Sequence, residues 1–450
     1  MKRPPRFSGV IVLAALFAFA GCDSIKDIFG ESGAAKGTTD PHKERIAILQ
    51  ASKTVEPDKD LKGKKIDLPK TETNAEWRQA GFDPSHLMPN AALADHPQQI
   101  WSSNIGEGSN SDFKLLARPI VGGGMAFTMD SEGTVRGFSA KDGSETWEFD
   151  TTPPNRDASA MGGGIGYIKN VVYATTGFGE VLALNAATGK LYWRRMLLNP
   201  IRGAPTIAGG RVYVVSIDNE LFALDARRGD VLWHHRGISE PATLMGASNP
   251  AVSNDSVVAA YSSGEIFDLR PENGRVAWNY TLTVPTQVGA LPAIADIRGL
   301  PVIDGGRIYA ISHSGRIAAI DLRIGDRVWE TDIGGINTPV VADSAIFILS
   351  NDNELMALDR ESGRIMWVQE LQKLEDPTDK DSDRLFWAGP VLGGDRLWLT
   401  NSLGQLVAFS PADGSQLDAV DLGAPCFITP VIAGKTIYVV TDDGALTALQ

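Results

Sequence analysis

One phrase is written about eight times along this chain: a short apolar strand, a turn, a strand reading roughly apolar-x-Ala-apolar-Asp, a glycine turn, and a tryptophan. Two copies, Asn219 to Trp233 (NELFALDARRGDVLW) and Asn353 to Trp367 (NELMALDRESGRIMW), agree at more than half their positions although they lie far apart. A repeat of this kind restricts the chain to architectures made by stacking equal units. Glycine followed four residues later by tryptophan occurs at Gly143/Trp147, Gly189/Trp193, Gly229/Trp233, Gly274/Trp278, Gly325/Trp329 and Gly363/Trp367, and a further copy keeps Gly414 without the tryptophan. Tryptophans of the repeat stand 38 to 51 residues apart. A period of roughly 40 to 50 with four strand-sized runs marks a β-propeller blade, whose faces only its neighbours can bury. Arg211 to Ser216 (RVYVVS) and Thr436 to Thr441 (TIYVVT) are rich in β-branched and aromatic residues between turn residues, which excludes a helical solenoid.

The two ends of the chain give the number of blades. Thr429 to Gln450 supplies three strands and stops where the tryptophan strand should begin. Gln98 to Gly106 (QQIWSSNIG) reads as that missing strand, and Trp101 lies 46 residues before Trp147. The expected fold is all-β: an eight-bladed β-propeller of four-stranded antiparallel blades over 98–450, its ring closed by the N-terminal strand so that no sheet edge is left open. One tryptophan at a fixed place per repeat is what packing between blades requires, and each buries ~150–250 Å². These tryptophans are read as structure, not as a ligand cage.

The N-terminus carries targeting information. Lys2, Arg3 and Arg6 precede the apolar run Val10 to Ala20, which is followed by Gly21 and Cys22. This is the layout of a signal peptide over 1–21, and the run is too short to span a bilayer. A cysteine directly after a small pair resembles the lipobox of bacterial lipoproteins, with Phe19 where leucine is commonest. The resemblance implies lipidation of Cys22, a mature chain starting there, and contact with the membrane through the lipid anchor only. Removing Lys2, Arg3 and Arg6 takes the net charge from -13 to -16, which argues against nucleic acid as a partner. Cys426, expected inside a strand, is the only other cysteine, so no intramolecular disulfide forms unless Cys22 itself is used.

Between anchor and propeller the pattern changes. Residues 22–75 read as a lipidated flexible tether: Glu31 to Pro41 is small and polar, His42 to Ser52 has the spacing of a short amphipathic helix, and Asp58 to Lys70 is charge-rich and extended. Residues 76–97 are apolar enough to pack on the propeller. Gln369 to Arg384 reads as an acidic, solvated loop between blades.

The chain holds no Gly-x-Ser-x-Gly, no P-loop, no His-Glu-x-x-His and no Cys-x-x-Cys, so no catalytic residue and no metal ligand is assigned. His234 and His235 are adjacent, and neighbours on a strand face opposite ways. Gly122 to Gly124 and Gly162 to Gly164 precede strands and are read as tight blade turns. Asp218-Asn219 and Asp352-Asn353 are read as turn residues making local bonds rather than as calcium ligands.

The repeats Ala223-Asp225-Gly229-Trp233 and Ala357-Asp359-Gly363-Trp367 resemble those of pyrroloquinoline-quinone-type propellers. That group contains large quinoprotein dehydrogenases, which carry long insertions, a calcium-binding carboxylate set and often a vicinal cysteine pair, and the BamB family of lipoproteins of the outer-membrane β-barrel assembly machinery. The lipobox, modest size and eightfold repeat are similar to the BamB family over 98–450. That resemblance implies a non-enzymatic scaffold without cofactor at the periplasmic face of the cell outer membrane. Its partners would be the periplasmic domain of BamA, the other machinery subunits and nascent outer-membrane β-barrel chains. It also implies contact loops between blades. In Leu197 to Thr206, Ile201-Arg202-Gly203 is similar to the family's apolar-Arg-Gly contact; in Ala293 to Pro301, Asp296 matches, while Arg298 stands where the family often has a second acid. Asp23 follows the lipidated cysteine, a residue that by the usual sorting rule holds a lipoprotein at the inner membrane; assembly function demands the outer one. The alternatives are a small quinoprotein oxidoreductase using pyrroloquinoline quinone, and a periplasmic interaction propeller with another partner.

Overall fold

A computed structural model describes residues 55–156, 159–282 and 294–450. Cys22, the signal peptide and the helix expected over 42–52 lie outside them.

The described residues form eight four-stranded antiparallel sheets arranged as blades of a propeller. Blades 1 to 7 occupy 120–150, 163–196, 206–236, 251–281, 302–331, 340–370 and 387–421. Blade 8 combines Val431–Ala433, Thr436–Val440 and Ala445–Leu449 with Gln99–Asn104 from the other end of the chain. The eightfold ring and its N-terminal closing strand are those expected from the repeat. At the seam Trp101 pairs with Ala448, and Gln98 and Gln450 exchange backbone hydrogen bonds of 2.9 Å in both directions. First strands are buried on both faces, as in Ile120–Gly122, whereas fourth strands such as Val231–Arg236 alternate exposed and buried residues.

Each part of the repeated phrase has a mechanical reason. Asp225 accepts the N–H groups of Arg227 and Arg228 at 3.0 and 2.9 Å, bending the chain into the turn that Gly229 closes at φ 72°. A Cβ on Gly229 would lie 2.5 Å from the indole of Trp193 in the preceding blade. The glycine is therefore demanded by backbone and neighbour together. The same stacking recurs for Trp101 on Gly143, Trp147 on Gly189, Trp233 on Gly274, Trp278 on Gly325, Trp329 on Gly363 and Trp367 on Gly414. In each case the indole N–H donates to a carbonyl of the next blade, from 2.8 Å for Trp233 to Pro271 up to 3.3 Å for Trp101 to Ala140. Blade 7 has Asp418 at this position, and His96 meets its carboxylate at 3.0 Å. The third and fourth strands of blade 8 come from separate parts of the chain, so that blade offers no glycine turn for an indole to cover.

The alanine of the phrase faces the tryptophan across the sheet: Ala223 opposite Trp233, Ala357 opposite Trp367. In blade 1 the position is Gly137, where a Cβ would come 2.6 Å from Trp147. Blade 4 departs from this, placing Asp268 opposite Trp278. Asp268 is buried, its Oδ1 has no hydrogen-bond partner among the described residues, and burial pushes its carboxyl up to about 6. A carboxyl raised on folding stabilises the protein below its unfolded value near 4, and that contribution is lost as pH rises through about 6. Asp268→Ala is therefore expected to raise stability by roughly 2 kcal/mol at pH 8 and by much less at pH 4. Denaturant melts at the two pH values check this; an equal effect at both would rule out the charge as the cause.

Residues 55–75, expected to belong to the flexible tether, instead run along blades 6 to 8. Asp58 and Asp60 pair with Arg364, Lys64 with Asp359 at 2.6 Å, and the Asp67 N–H donates to Ser344 at 2.7 Å. The physical reason is charge matching: this charge-rich stretch meets the oppositely charged side chains of the third-to-fourth-strand turn. Residues 74–91 then cross the end of the ring where first and second strands join. Asn74 bonds Ile432 and Gly434 of blade 8, Trp77 bridges Val121 of blade 1, and the Arg78 carbonyl accepts from Tyr167 of blade 2. The Gln79 amide exchanges bonds of 3.0 and 2.9 Å with Ile207 of blade 3. Pro84 and Ser85 accept from Val252 and Ile303 of blades 4 and 5, and Ala91 pairs with blade 7. Leu87 packs into the cluster containing Val341 of blade 6. This crossing segment is a plug that touches every blade.

Two smaller expectations are corrected. Cys426 lies in the connection before Val431–Ala433, not in a strand; it is fully buried with Sγ 3.1 Å from the Val440 carbonyl, and burial pushes its thiol up to about 11. Gly123 and Gly124 do form a turn, but Gly163 and Gly164 are inside a strand, where glycine is required because a Cβ on Gly164 would come 2.7 Å from Ala204 in the connection to blade 3. Among the described residues no helix is long and apolar enough to cross a membrane.

Candidate functional site

The loops that join one blade to the next converge on the axis at the end opposite the plug. They enclose a cup of about 660 Å³. Its wall takes residues from seven of the eight connections, among them Arg118, Arg202, Asn249, Leu300, Asn337, Phe386 and Thr429, and Ala80 of the plug also lines it. A prolyl residue follows the wall position in many repeats, as in Arg118-Pro119, Ala204-Pro205, Asn249-Pro250, Leu300-Pro301 and Thr429-Pro430. Proline holds the preceding residue extended. Each such pair thus places one side chain on the axis just before the first strand starts.

The four residues expected to meet a partner have unlike positions. Ile201 is fully buried, packing with Tyr173, Leu197 and Ile207, so it shapes the loop from below. Arg202 is partly exposed on the cup wall, lies over Gly162, and makes no hydrogen bond or ion pair among the described residues. Asp296 is buried; its Oδ2 accepts the Leu244 N–H at 2.8 Å, and burial raises its carboxyl pKa. It therefore braces the connection between blades 3 and 4. Arg298 lines the cup beside Gly246, and burial lowers its pKa against the favourable charge of Asp296. Arg202 and Arg298 share the cup; Asp296 stands behind it.

Sequence reasoning missed Arg118. Its Nη1 donates to the Ala80 carbonyl at 2.9 Å, and burial and the charge of Arg298 push it down to about 10. Its place before Pro119, matching the wall positions of other repeats, was the available signal. On the connections between blades Leu198, Met245, Ile294, Phe386 and Phe427 are exposed, Leu198 at 83% and the two phenylalanine rings, which line the cup, 6.0 Å apart. Among the described residues no three His, Cys, Asp or Glu side chains converge to hold a metal ion, and the cup wall carries one carboxylate, Asp442. This donor set does not fit the calcium of a quinoprotein centre.

Residues 92–160, 131–369 and 372–450 match the family described as outer membrane protein assembly factor BamB. The chain belongs to the BamB family. BamB of Yersinia pestis is 26% identical over 246 residues, which are 54% of this chain and 62% of that protein. BamB of Alteromonas naphthalenivorans is 29% identical over 251 residues, 53% and 60% of the two chains. The aligned part thus spans about three fifths of these BamB relatives, while for BamB of Burkholderia pseudomallei it is 353 residues at 25% identity and 87% of that protein. The crystal structure of BamB from Moraxella catarrhalis superposes with a TM-score of 0.66 at 20% identity, over 79% of this chain and all of that one. Quinohemoprotein alcohol dehydrogenase from Comamonas testosteroni gives 0.62 at 14% identity, over 83% and 80%. These two likenesses concern the fold alone. The BamB match starts at residue 92, after the plug.

Proposed function

We propose that this protein is a non-enzymatic lipoprotein scaffold of the outer-membrane β-barrel assembly machinery. In this reading Cys22 carries the lipid, the signal peptide ends at residue 21, and the propeller stands at the periplasmic face of the outer membrane. The mouth of the cup docks the periplasmic domain of BamA while other faces hold further subunits. The outer strands, such as Leu191–Met196 with exposed Leu191, Tyr192 and Met196, offer edges to nascent β-barrel chains. One observation carries the reading: in a member of the BamB family, Arg202, unpaired among the described residues, and exposed Leu198 share one connection between blades. A guanidinium able to pair bidentately next to an apolar anchor is the composition of a small hot spot.

Arg202→Glu is expected to weaken binding of the isolated BamA periplasmic domain at least about tenfold, which is ~1.4 kcal/mol. Because the side chain is partly exposed and unpaired, the melting temperature should move by no more than a few degrees. Titration calorimetry and a thermal melt of the same preparations decide it, and unchanged affinity would remove Arg202 from the interface. Absence of BamA from a pull-down out of solubilised envelope favours a different partner. The quinoprotein reading is tested by reconstitution with pyrroloquinoline quinone and calcium, where a bound chromophore with alcohol or sugar turnover would replace the scaffold account.

A further inference from the structure

The cup is cationic in an acidic protein. The chain carries a net charge of -13, yet among the described residues the wall holds Lys114, Arg118, Arg202 and Arg298 against Asp442 alone. Among the described residues none of these three arginines forms a salt bridge within 4 Å, and the two polar contacts of Arg118 go to the neutral oxygens of Ala80 and Thr338. Folding thus brings like charges together: the charge of Arg298 disfavours protonation of Arg118, and Asp296 behind the wall offsets Arg298 only in part. Such an arrangement costs free energy unless an anion offsets it.

The surroundings define the size and character of that anion. The plug seals one end, with Ala80 at the floor and its carbonyl held by Arg118, so the cup is blind and nothing threads through the ring. A volume of about 660 Å³ lies within the ~300–1,000 Å³ of small-molecule sites. Between the arginines the wall is apolar, with Leu115, Leu244, Leu300, Ile336, Trp387 and Ile428. Asn249 is buried and lines the cup, and its Oδ1 has no partner among the described residues; as an acceptor it suits a hydroxyl on the ligand's carbon body, not a carboxylate. We propose that the axial cup binds a compact organic anion bearing two or more carboxylates on a hydrocarbon body, held by Arg118 and Arg298 with Arg202 at the mouth. Guanidinium forks match carboxylates two bonds at a time, and the apolar wall between them suits a carbon skeleton but not a hydrated inorganic ion.

This site is separable from partner docking because Arg118 and Arg298 stand on the wall and not on the exposed rim. The test is titration calorimetry on the full chain with citrate, adipate and isophthalate, with inorganic phosphate at the same ionic strength. A saturable site for at least one of the carboxylates, at least tenfold tighter than phosphate and weakened at least tenfold by Arg298→Gln, is the expected result. Arg118→Gln also releases the plug carbonyl, so Arg298→Gln is the primary variant, and its unchanged far-ultraviolet circular dichroism and melt show that the ring is intact. Phosphate binding as tightly as the carboxylates, no saturation by any of them below 10 mM, as ~2.7 kcal/mol is all that such an affinity represents, or full retention of binding in Arg298→Gln overturns the proposal. Loss of BamA binding in Arg298→Gln with no carboxylate bound would assign the cup to the docked partner instead, and also overturns it.

Discussion

Trp233→Ala will lower the unfolding free energy by about 3–5 kcal/mol, the range found when large buried aromatic side chains are truncated. Three losses act together. The indole gives up its apolar burial between blades 3 and 4, and the cavity cannot collapse because Gly274 has no side chain to move into it. The Pro271 carbonyl loses the 2.8 Å bond donated by the indole, which costs of order 1 kcal/mol when the acceptor stays buried. Tyr213, whose ring centroid lies 5.9 Å from that of Trp233, loses its aromatic neighbour. Trp233→Phe restores the ring but not the donor, so it should recover more than half of the loss. Denaturant unfolding at constant m-value measures both, and an alanine variant within 1 kcal/mol of the parent would show that the blades cohere by something other than these indoles.

The second large effect concerns the seam. A chain starting at Ile105 lacks Gln99–Asn104, and blade 8 then shows the unpaired edge of Ala445–Leu449. An open strand edge of this kind recruits other chains. Trp101 goes too, and with it the stacking on Gly143 that joins blade 8 to blade 1. This variant is expected to aggregate or dimerise and to melt at least ten degrees lower. A chain starting at Gln98 keeps the seam strand and loses the plug, the residues before it and 92–97 with the His96–Asp418 contact. It should remain a monomeric ring of reduced stability, its cup open at both ends. Light scattering and thermal melts of the pair separate the two contributions; equal behaviour of both truncations would mean that the plug, not the seam strand, holds the ring closed.

The ring was legible because its determinants are local and repeated. Asp225, Gly229 and Trp233 each answer a requirement that recurs in most blades, so one copy explains the others, and the absence of the tryptophan from blade 7 becomes intelligible once the seam is known. The plug was less legible: Asn74, Trp77, Gln79 and Ser85 each contact a different blade, so no period runs through them and nothing in their spacing specifies a partner. The charge-rich stretch around Asp58 to Asp67 read as solvated because its counter-charges, Arg364 and Asp359, are some 300 residues away. At the site, the loop carrying Arg202 and the one carrying Arg298 were found from sequence, while the burial of Ile201 and Asp296 was not. A short loop gives no sign of which of its side chains turns inward. Arg118 escaped for a different reason, since its meaning lies in its register against the other wall positions.

The pairing of Gln99 with Leu449 also sets the order of events as the protein is made. The residues that complete the last blade, and those that cross the axis beneath all eight, leave the ribosome before any blade exists to receive them. Contacts between such distant residues form slowly. The strand Gln99–Asn104 must wait, unpaired, until Ala445–Leu449 has been delivered, and for the whole of that interval it is open to wrong partners.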